Sequence, residues 1–272
     1  MSIRRFGGKI NMNNKFKIID SHAHYDDESF NDDREEVLKQ ITENGVIGIM
    51  NCACSYESLN TTDKLTKEHD YIYGALGIHP ENAYEFKDDT LDEIKEYIKK
   101  NDKIVAIGEI GLDYYWDENP PKEVQKEAFR KQMNLAKELD MPVVIHDREA
   151  HMDTLKIMKE FPEVKGVVHC FSGSKEFAME CIKLGYYIGF TGVVTFKNAK
   201  KIVEVAKEVP LDRILVETDC PYMAPEPNRG KRNKSDYIEY IIKKIADIKE
   251  IDPYEANLKF NENFLRLIKK EK

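Results

Sequence analysis

Histidine, glutamate and aspartate supply most of the chemistry open to this chain, and several stand at regular places. His22 and His24 close the run Ile18-Ile19-Asp20-Ser21. Side chains on a strand repeat every two residues, so the pair would point the same way and could hold one ion between them. Taken alone, the spacing also suits polar residues on a half-solvated strand. Further candidates stand where later apolar runs end: His79, Glu109, His146, His169, and Glu217 with Asp219. Five of the seven histidines occupy such positions, and His69 and His151 do not. Neutral imidazoles with carboxylates suit divalent zinc, manganese, iron or nickel, and magnesium where oxygens dominate. So many candidate ligands exceed what one catalytic ion with open positions takes, and the set fits two divalent ions with a carboxylate between them.

Such residues converge only if the elements carrying them end together. Apolar runs read as strands at Ile18 to His24, Val46 to Ala53, Ile72 to Gly77, Ile104 to Glu109, Pro142 to His146, Val167 to His169, Tyr187 to Phe190 and Ile214 to Glu217. Between them lie helical patterns at Asn31 to Glu43, Ser58 to Glu68, Leu91 to Lys100, Lys122 to Leu139, Thr154 to Lys159, Glu176 to Leu184 and Ala199 to Glu208. Two more helices, Ser235 to Ile248 and Pro253 to Ile268, follow the last strand. Near-continuous apolar strands alternating with amphipathic helices call for a parallel sheet covered on both faces, and eight such units in roughly 250 residues match a (β/α)8 TIM barrel. The alternative is a doubly wound open sheet, which the lack of a glycine-rich phosphate loop after the first strand disfavours. In a barrel the histidines and carboxylates would meet at the C-terminal edge of the strands, where active sites are built.

The chain has 272 residues and 41% hydrophobic content, enough for one large buried core. Residues 1–15 are polar and lack periodicity, and read as a disordered extension ahead of a single domain over 16–272. No apolar run reaches the roughly 20 residues needed to cross a bilayer and no secretory signal is visible, so a cytoplasmic location is the default expectation. The five cysteines are odd in number and scattered, which fits reduced thiols. Cys52 and Cys54 share a strand face but have no second pair to complete a structural zinc site, and core packing is the expectation for them. A net charge of -8 argues against a broad basic surface for duplex DNA, while a local phosphate site built on metal ions remains open.

The motifs His22-Ala23-His24, Gly77-Ile78-His79-Pro80-Glu81, Gly108-Glu109-Ile110-Gly111-Leu112-Asp113, His146-Asp147-Arg148, His169-Cys170-Phe171-Ser172-Gly173 and Glu217-Thr218-Asp219-Cys220-Pro221-Tyr222, in this order, resemble those of TatD-family metal-dependent hydrolases, a branch of the amidohydrolase-like barrels. The likeness runs from Lys17 to Ile268. It implies ligand roles for His22, His24, Glu109, His146, His169 and Asp219, with Glu109 bridging two divalent ions (magnesium, manganese or zinc) in the place of the modified lysine of related barrels. It also implies a metal-dependent deoxyribonuclease, removing nucleotides from a 3′ end, with DNA ends or single strands as substrate. Some similar proteins instead cleave D-aminoacyl-tRNA esters. One departure stands after Arg229-Gly230-Lys231-Arg232-Asn233, where the family tends to continue with glutamate and proline and this chain has Lys234-Ser235.

Within that scheme Asp219 would accept the proton of the attacking water. His79 would contact the phosphate or protonate the leaving group, or be a structural loop histidine. Arg148 and Arg229 would donate to phosphate oxygens, or form surface salt bridges. Glu217 would support a ligand histidine from behind. Tyr114-Tyr115-Trp116 would stack bases or pack on the barrel. A monomer is compatible with all of these roles.

Overall fold

The computed structural model describes residues 16–87 and 89–269, so the extension expected at residues 1–15 lies outside the described residues. Eight strands follow one another around a single sheet in chain order: β1 (Ile18–Ala23), β2 (Val46–Cys52), β3 (Ile72–Leu76), β4 (Ile104–Asp113), β5 (Val143–Arg148), β6 (Gly166–Val168), β7 (Tyr187–Phe190) and β8 (Ile214–Val216). Every neighbouring pair is parallel. The sheet closes just past β8, where Ala23 and Cys220 form a parallel bridge and the His22 carbonyl accepts from the Asp219 N–H at 3.0 Å. The result is the expected (β/α)8 barrel.

Helices α1 (Arg34–Glu43), α2 (Tyr56–Glu68), α3 (Thr90–Lys100), α4 (Lys122–Leu139), α5 (His151–Glu160), α6 (Lys175–Lys183), α7 (Lys200–Glu208) and α8 (Ile238–Lys249) follow the eight strands, and α9 (Pro253–Ile268) ends the described chain. Each strand contributes to one interior cluster, from Ile19, Met50, Ala75, Ala106, Val144, Val167, Tyr187 and Leu215, which Phe264 and Leu267 of α9 complete. Alternate strand residues such as Ile18, Ile49, Ile107 and Ile145 face the helices in a second cluster. This period of two is what carries one set of side chains into the barrel and the other into its shell.

Two differences from the sequence reading bear on the site. β4 does not stop at Glu109 but runs four residues further to Asp113, pairing with β5 through Asp113↔Arg148. Gly111 allows it: its φ is +145°, and a Cβ there would lie 2.0 Å from the His146 carbonyl oxygen. Only a residue without a side chain lets the two strands approach this closely there. α5 likewise begins three residues earlier than expected and takes in His151, whose ring bonds the buried Asp147.

Candidate metal centre

His22 lies in β1 and His24 just beyond it, and their Nε2 atoms converge at 2.9 Å. Glu109 from β4 reaches the same point. Its Oε2 is 3.2 Å from His22 Nε2 and 3.6 Å from His24 Nε2, while its Oε1 is 2.8 Å from His146 Nδ1 and 2.6 Å from His169 Nε2. Asp219, beyond β8, presents Oδ1 at 3.6 Å from His22 and 3.3 Å from His24. The six residues singled out from the sequence as ligands therefore meet, and the Glu109 carboxylate turns one oxygen toward each histidine pair.

The back of each ring explains its orientation. His24 Nδ1 faces the Cys52 carbonyl at 2.9 Å, an acceptor, so Nδ1 carries the proton and Nε2 offers a lone pair. His22 Nδ1 is turned to Cys52 Sγ at 3.4 Å. His146 Nε2 donates to Asp113 Oδ2 at 3.0 Å, leaving Nδ1 with its lone pair toward Glu109 and His169. His169 Nδ1 is buried without a hydrogen bond and points at Glu217 Oε1, 3.7 Å away. Nitrogen lone pairs and carboxylate oxygens packed face to face repel one another, and a cation among them removes that repulsion. Both the donor set and its geometry fit divalent metal ions.

The electrostatics agree. Burial alone would raise Glu109, but His169, His22 and His79 around it hold the carboxyl well below its usual range. Asp219 is likewise held low against burial, by its hydrogen bond to His24 and by the neighbouring histidines. Burial pulls His22 down to about 4, so its ring stays neutral. Burial also opposes charge on His146, yet Asp113 and Glu109 lift it to about 10, a measure of how strongly these carboxylates demand positive charge beside them. For Glu217 burial wins, pushing it up to about 7 although His169 and the Cys170 N–H act to lower it. It lies directly against Gly189, where a Cβ would come within 2.6 Å of its oxygens, and it accepts the Cys170 N–H at 2.5 Å.

His24, Glu109, His146, His169 and Asp219 line a cavity of about 650 Å³ whose rim carries Arg148 and Trp116. Arg148 sits 4.0 Å over the Tyr115 ring and 5.2 Å over that of Trp116. Tyr115 and Trp116 are exposed, whereas Tyr114 packs against the core and donates to Asp153. His79 also lines the cavity, but its inward nitrogen carries a proton where those of His24 and His146 offer lone pairs. The Glu81 N–H donates to its Nδ1 at 3.2 Å, so the proton is on Nε2, which points inward 3.5 Å from Glu109 Oε1. Arg229 is not part of this cavity: it lies over Phe196 at 4.3 Å in an adjoining groove.

Three residues acquire parts that sequence reasoning did not assign. Asp113 orients His146; its spacing of four from Glu109 signals a shared strand face, but only if β4 continues past Gly111. Cys52 is buried as expected, and in addition orients both histidines of the first pair. Cys54 corrects the expectation of core packing: it lies past the end of β2, half-buried, with Sγ 3.5 Å from Glu109 Oε2, and it lines the cavity. No sequence signal distinguishes it from Cys52.

The Lys234-Ser235 departure also has a structural account. Ser235 is fully buried, donates from Oγ to Asp20 Oδ2 at 2.6 Å, and donates its backbone N–H to Tyr25 Oη at 3.0 Å, a bond a proline could not make. Asp20 in turn accepts from Thr218, tying the loop to β1 and β8 beneath the centre.

Comparison with known proteins agrees with this geometry. The family model described as TatD related DNase matches residues 19–269. A metal-dependent hydrolase of Bacillus subtilis, YabD, whose function is uncharacterized, is 44% identical over 93% of this chain and 99% of its own. The Escherichia coli YcfH protein, also described as an uncharacterized metal-dependent hydrolase, is 36% identical over 92% of this chain and 95% of its own. Among solved structures, the TatD homologue YjjV of E. coli superposes with a TM-score of 0.87 at 31% identity, covering 93% of this chain and 98% of that one. With the centre, the barrel and these relatives in agreement, the chain belongs to the TatD family of metal-dependent hydrolases.

Proposed function

We propose that this hydrolase is a deoxyribonuclease that cleaves phosphodiesters at the 3′ ends of DNA strands. The observation that carries the reading is the Glu109 carboxylate, with one oxygen at the His22–His24 pair and the other at the His146–His169 pair. That arrangement suits two divalent ions (magnesium, manganese or zinc): His22, His24 and Asp219 would hold one, His146 and His169 the other, and Glu109 would serve both. Such ions supply charge to a phosphoryl oxygen and make water nucleophilic near neutral pH.

The chain's own groups then have defined tasks. Asp219, kept ionised, accepts the proton of the attacking water. His79, with its proton on Nε2 facing the cavity, donates to an oxygen of the phosphate or of the leaving group. Arg148, fixed by Tyr115 and Trp116, offers a planar pair of donors to the remaining phosphate oxygens. Arg148 beside the exposed Trp116 ring pairs a phosphate donor with a surface for an unstacked base, which suits a strand end better than the flank of a duplex. The family description as a DNase points the same way.

The test is hydrolysis by purified protein supplied with manganese, magnesium or zinc, using single-stranded and 3′-recessed DNA against a D-aminoacyl-tRNA. Release of mononucleotides from DNA, abolished by a chelator and lowered about a hundredfold or more by Asp219→Asn, is expected. Intact DNA together with cleaved D-aminoacyl-tRNA would overturn the nuclease reading in favour of an ester hydrolase using the same centre.

A further inference from the structure

Beside the metal cavity lies a second, open groove of about 1000 Å³, and Asp27, Tyr222 and Met223 line both. Its two banks differ. One is the tip of the 228–232 loop, with Arg229 and Lys231. Among the described residues no carboxylate pairs with either: Arg229 rests on the Phe196 ring, and Lys231 Nζ reaches only Asn228 Oδ1 at 3.5 Å. Arg232 is a counter-example on the same loop, since both its terminal nitrogens are committed to Asp33, at 2.9 and 2.6 Å. The other bank carries Asp27, Glu28 and Asp32. Between the banks stands Tyr222, 56% exposed, its ring fixed by a hydrogen bond from Oη to Asp27 at 2.9 Å.

The loop is rigid at its foot and open at its tip. Asn233 is buried and donates from Nδ2 to the carbonyls of Thr218 and Tyr222, at 2.9 and 2.7 Å, so the tip is anchored to the segment that carries Asp219. At the tip, Gly230 has φ +84° and nothing within 4 Å of where a Cβ would be. Two uncommitted cations on one side of an exposed ring, with acidic groups on the other, match a polyanion whose charge lies on one edge and whose amino-bearing rings lie on the other.

We propose that this groove is the track for a single nucleic-acid strand beyond the scissile bond, with Arg229 and Lys231 on consecutive phosphates and Tyr222 stacked on a base. The acidic bank then faces base edges and repels a phosphate placed there, which gives the track one backbone orientation. This rests on the phosphodiester reading of the metal centre, and extends it from a site for one phosphate to a site for a chain.

The experiment measures binding without cutting. Fluorescence anisotropy is read for a labelled deoxycytidine dinucleotide and octanucleotide on the Asp219→Asn protein with manganese, and on the same protein carrying Arg229→Gln and Lys231→Gln. Both added positions are exposed, and equal thermal melting curves confirm that folding is unchanged. The octanucleotide is expected to bind more tightly than the dinucleotide, the double substitution to remove most of that gain (about tenfold or more), and the slope of log K against log salt to fall by about 1.4, from roughly 0.7 per contact on single strands. A gain with length that survives the substitutions, or the absence of any gain before them, would overturn the groove assignment. If the gain is present and groove-dependent while the unsubstituted enzyme hydrolyses no phosphodiester, the track stands and the nuclease reading falls.

Discussion

Asp113→Asn separates orientation of a metal ligand from the ligand itself. Asp113 is buried, with Oδ2 accepting from His146 Nε2 at 3.0 Å and Oδ1 accepting from the Tyr115 N–H at 2.9 Å. Asparagine fills the same space with one acceptor instead of two. If its oxygen stays on Tyr115, the amide N–H₂ faces His146 Nε2, and either two donors oppose each other or His146 moves its proton to Nδ1. The first outcome leaves buried donors unsatisfied at a cost of about 1–3 kcal/mol. The second removes the lone pair from the nitrogen aimed at Glu109 and His169. Either way the His146–His169 site weakens by roughly 10–100-fold, the usual effect of losing the carboxylate behind a metal-bound histidine, which is about 1.4–2.7 kcal/mol. On the two-ion reading proposed above, chelator competition monitored by elemental analysis should show metal content falling from two ions per chain toward one, with the His22–His24 site retained. Two ions held within twofold of the original affinity would refute both the assigned proton position on His146 and the orienting role of Asp113.

Other perturbations probe the supports. Gly111→Ala places a Cβ 2.0 Å from the His146 carbonyl and forces a left-handed φ on a substituted residue. It should therefore separate β4 from β5, lowering the soluble yield or, in protein that folds, metal content at His146; unchanged metal content and melting would contradict this. Ser235→Ala removes the 2.6 Å bond to Asp20 and should cost about 2 kcal/mol, lowering the melting temperature by roughly 4 °C in calorimetry; an unshifted midpoint would discount the Asp20 network. His151 is raised above its usual 6.5 by its bond to Asp147, against partial burial. Because the folded value is the higher one, the stabilisation is full below pH 6.5 and is lost as pH rises through the folded value. Denaturant melts of His151→Gln should accordingly show the largest deficit in mildly acidic buffer and a smaller one once the pH has risen through the folded value; a deficit independent of pH would refute it.

Much of this architecture was legible in the sequence, for a local reason. Strand and helix periodicities depend on neighbours two to four residues apart, so eight alternating units and their order could be read along the chain. A barrel then places every strand end on one edge, and this is why His22, His24, Glu109, His146, His169 and Asp219 could be grouped before any contact was known. What required tertiary structure depends on residues far apart in the chain. The sequence reading ends β4 at Glu109, and only the approach of the His146 carbonyl to Gly111 explains why the strand continues to Asp113. Cys52 and Cys54 are alike in sequence, yet one is enclosed by the barrel and orients two histidines while the other opens into the cavity. Arg148 and Arg229 are both arginines near motif residues, but strand pairing carries Arg148 to the metal cavity, and the Asn233 anchor leaves Arg229 on the neighbouring groove. Whether each imidazole nitrogen offers a proton or a lone pair is set by the atom behind it, from Cys52, Asp113 or Glu81. The sequence determined which groups assemble; packing between distant segments decided which way each one faces.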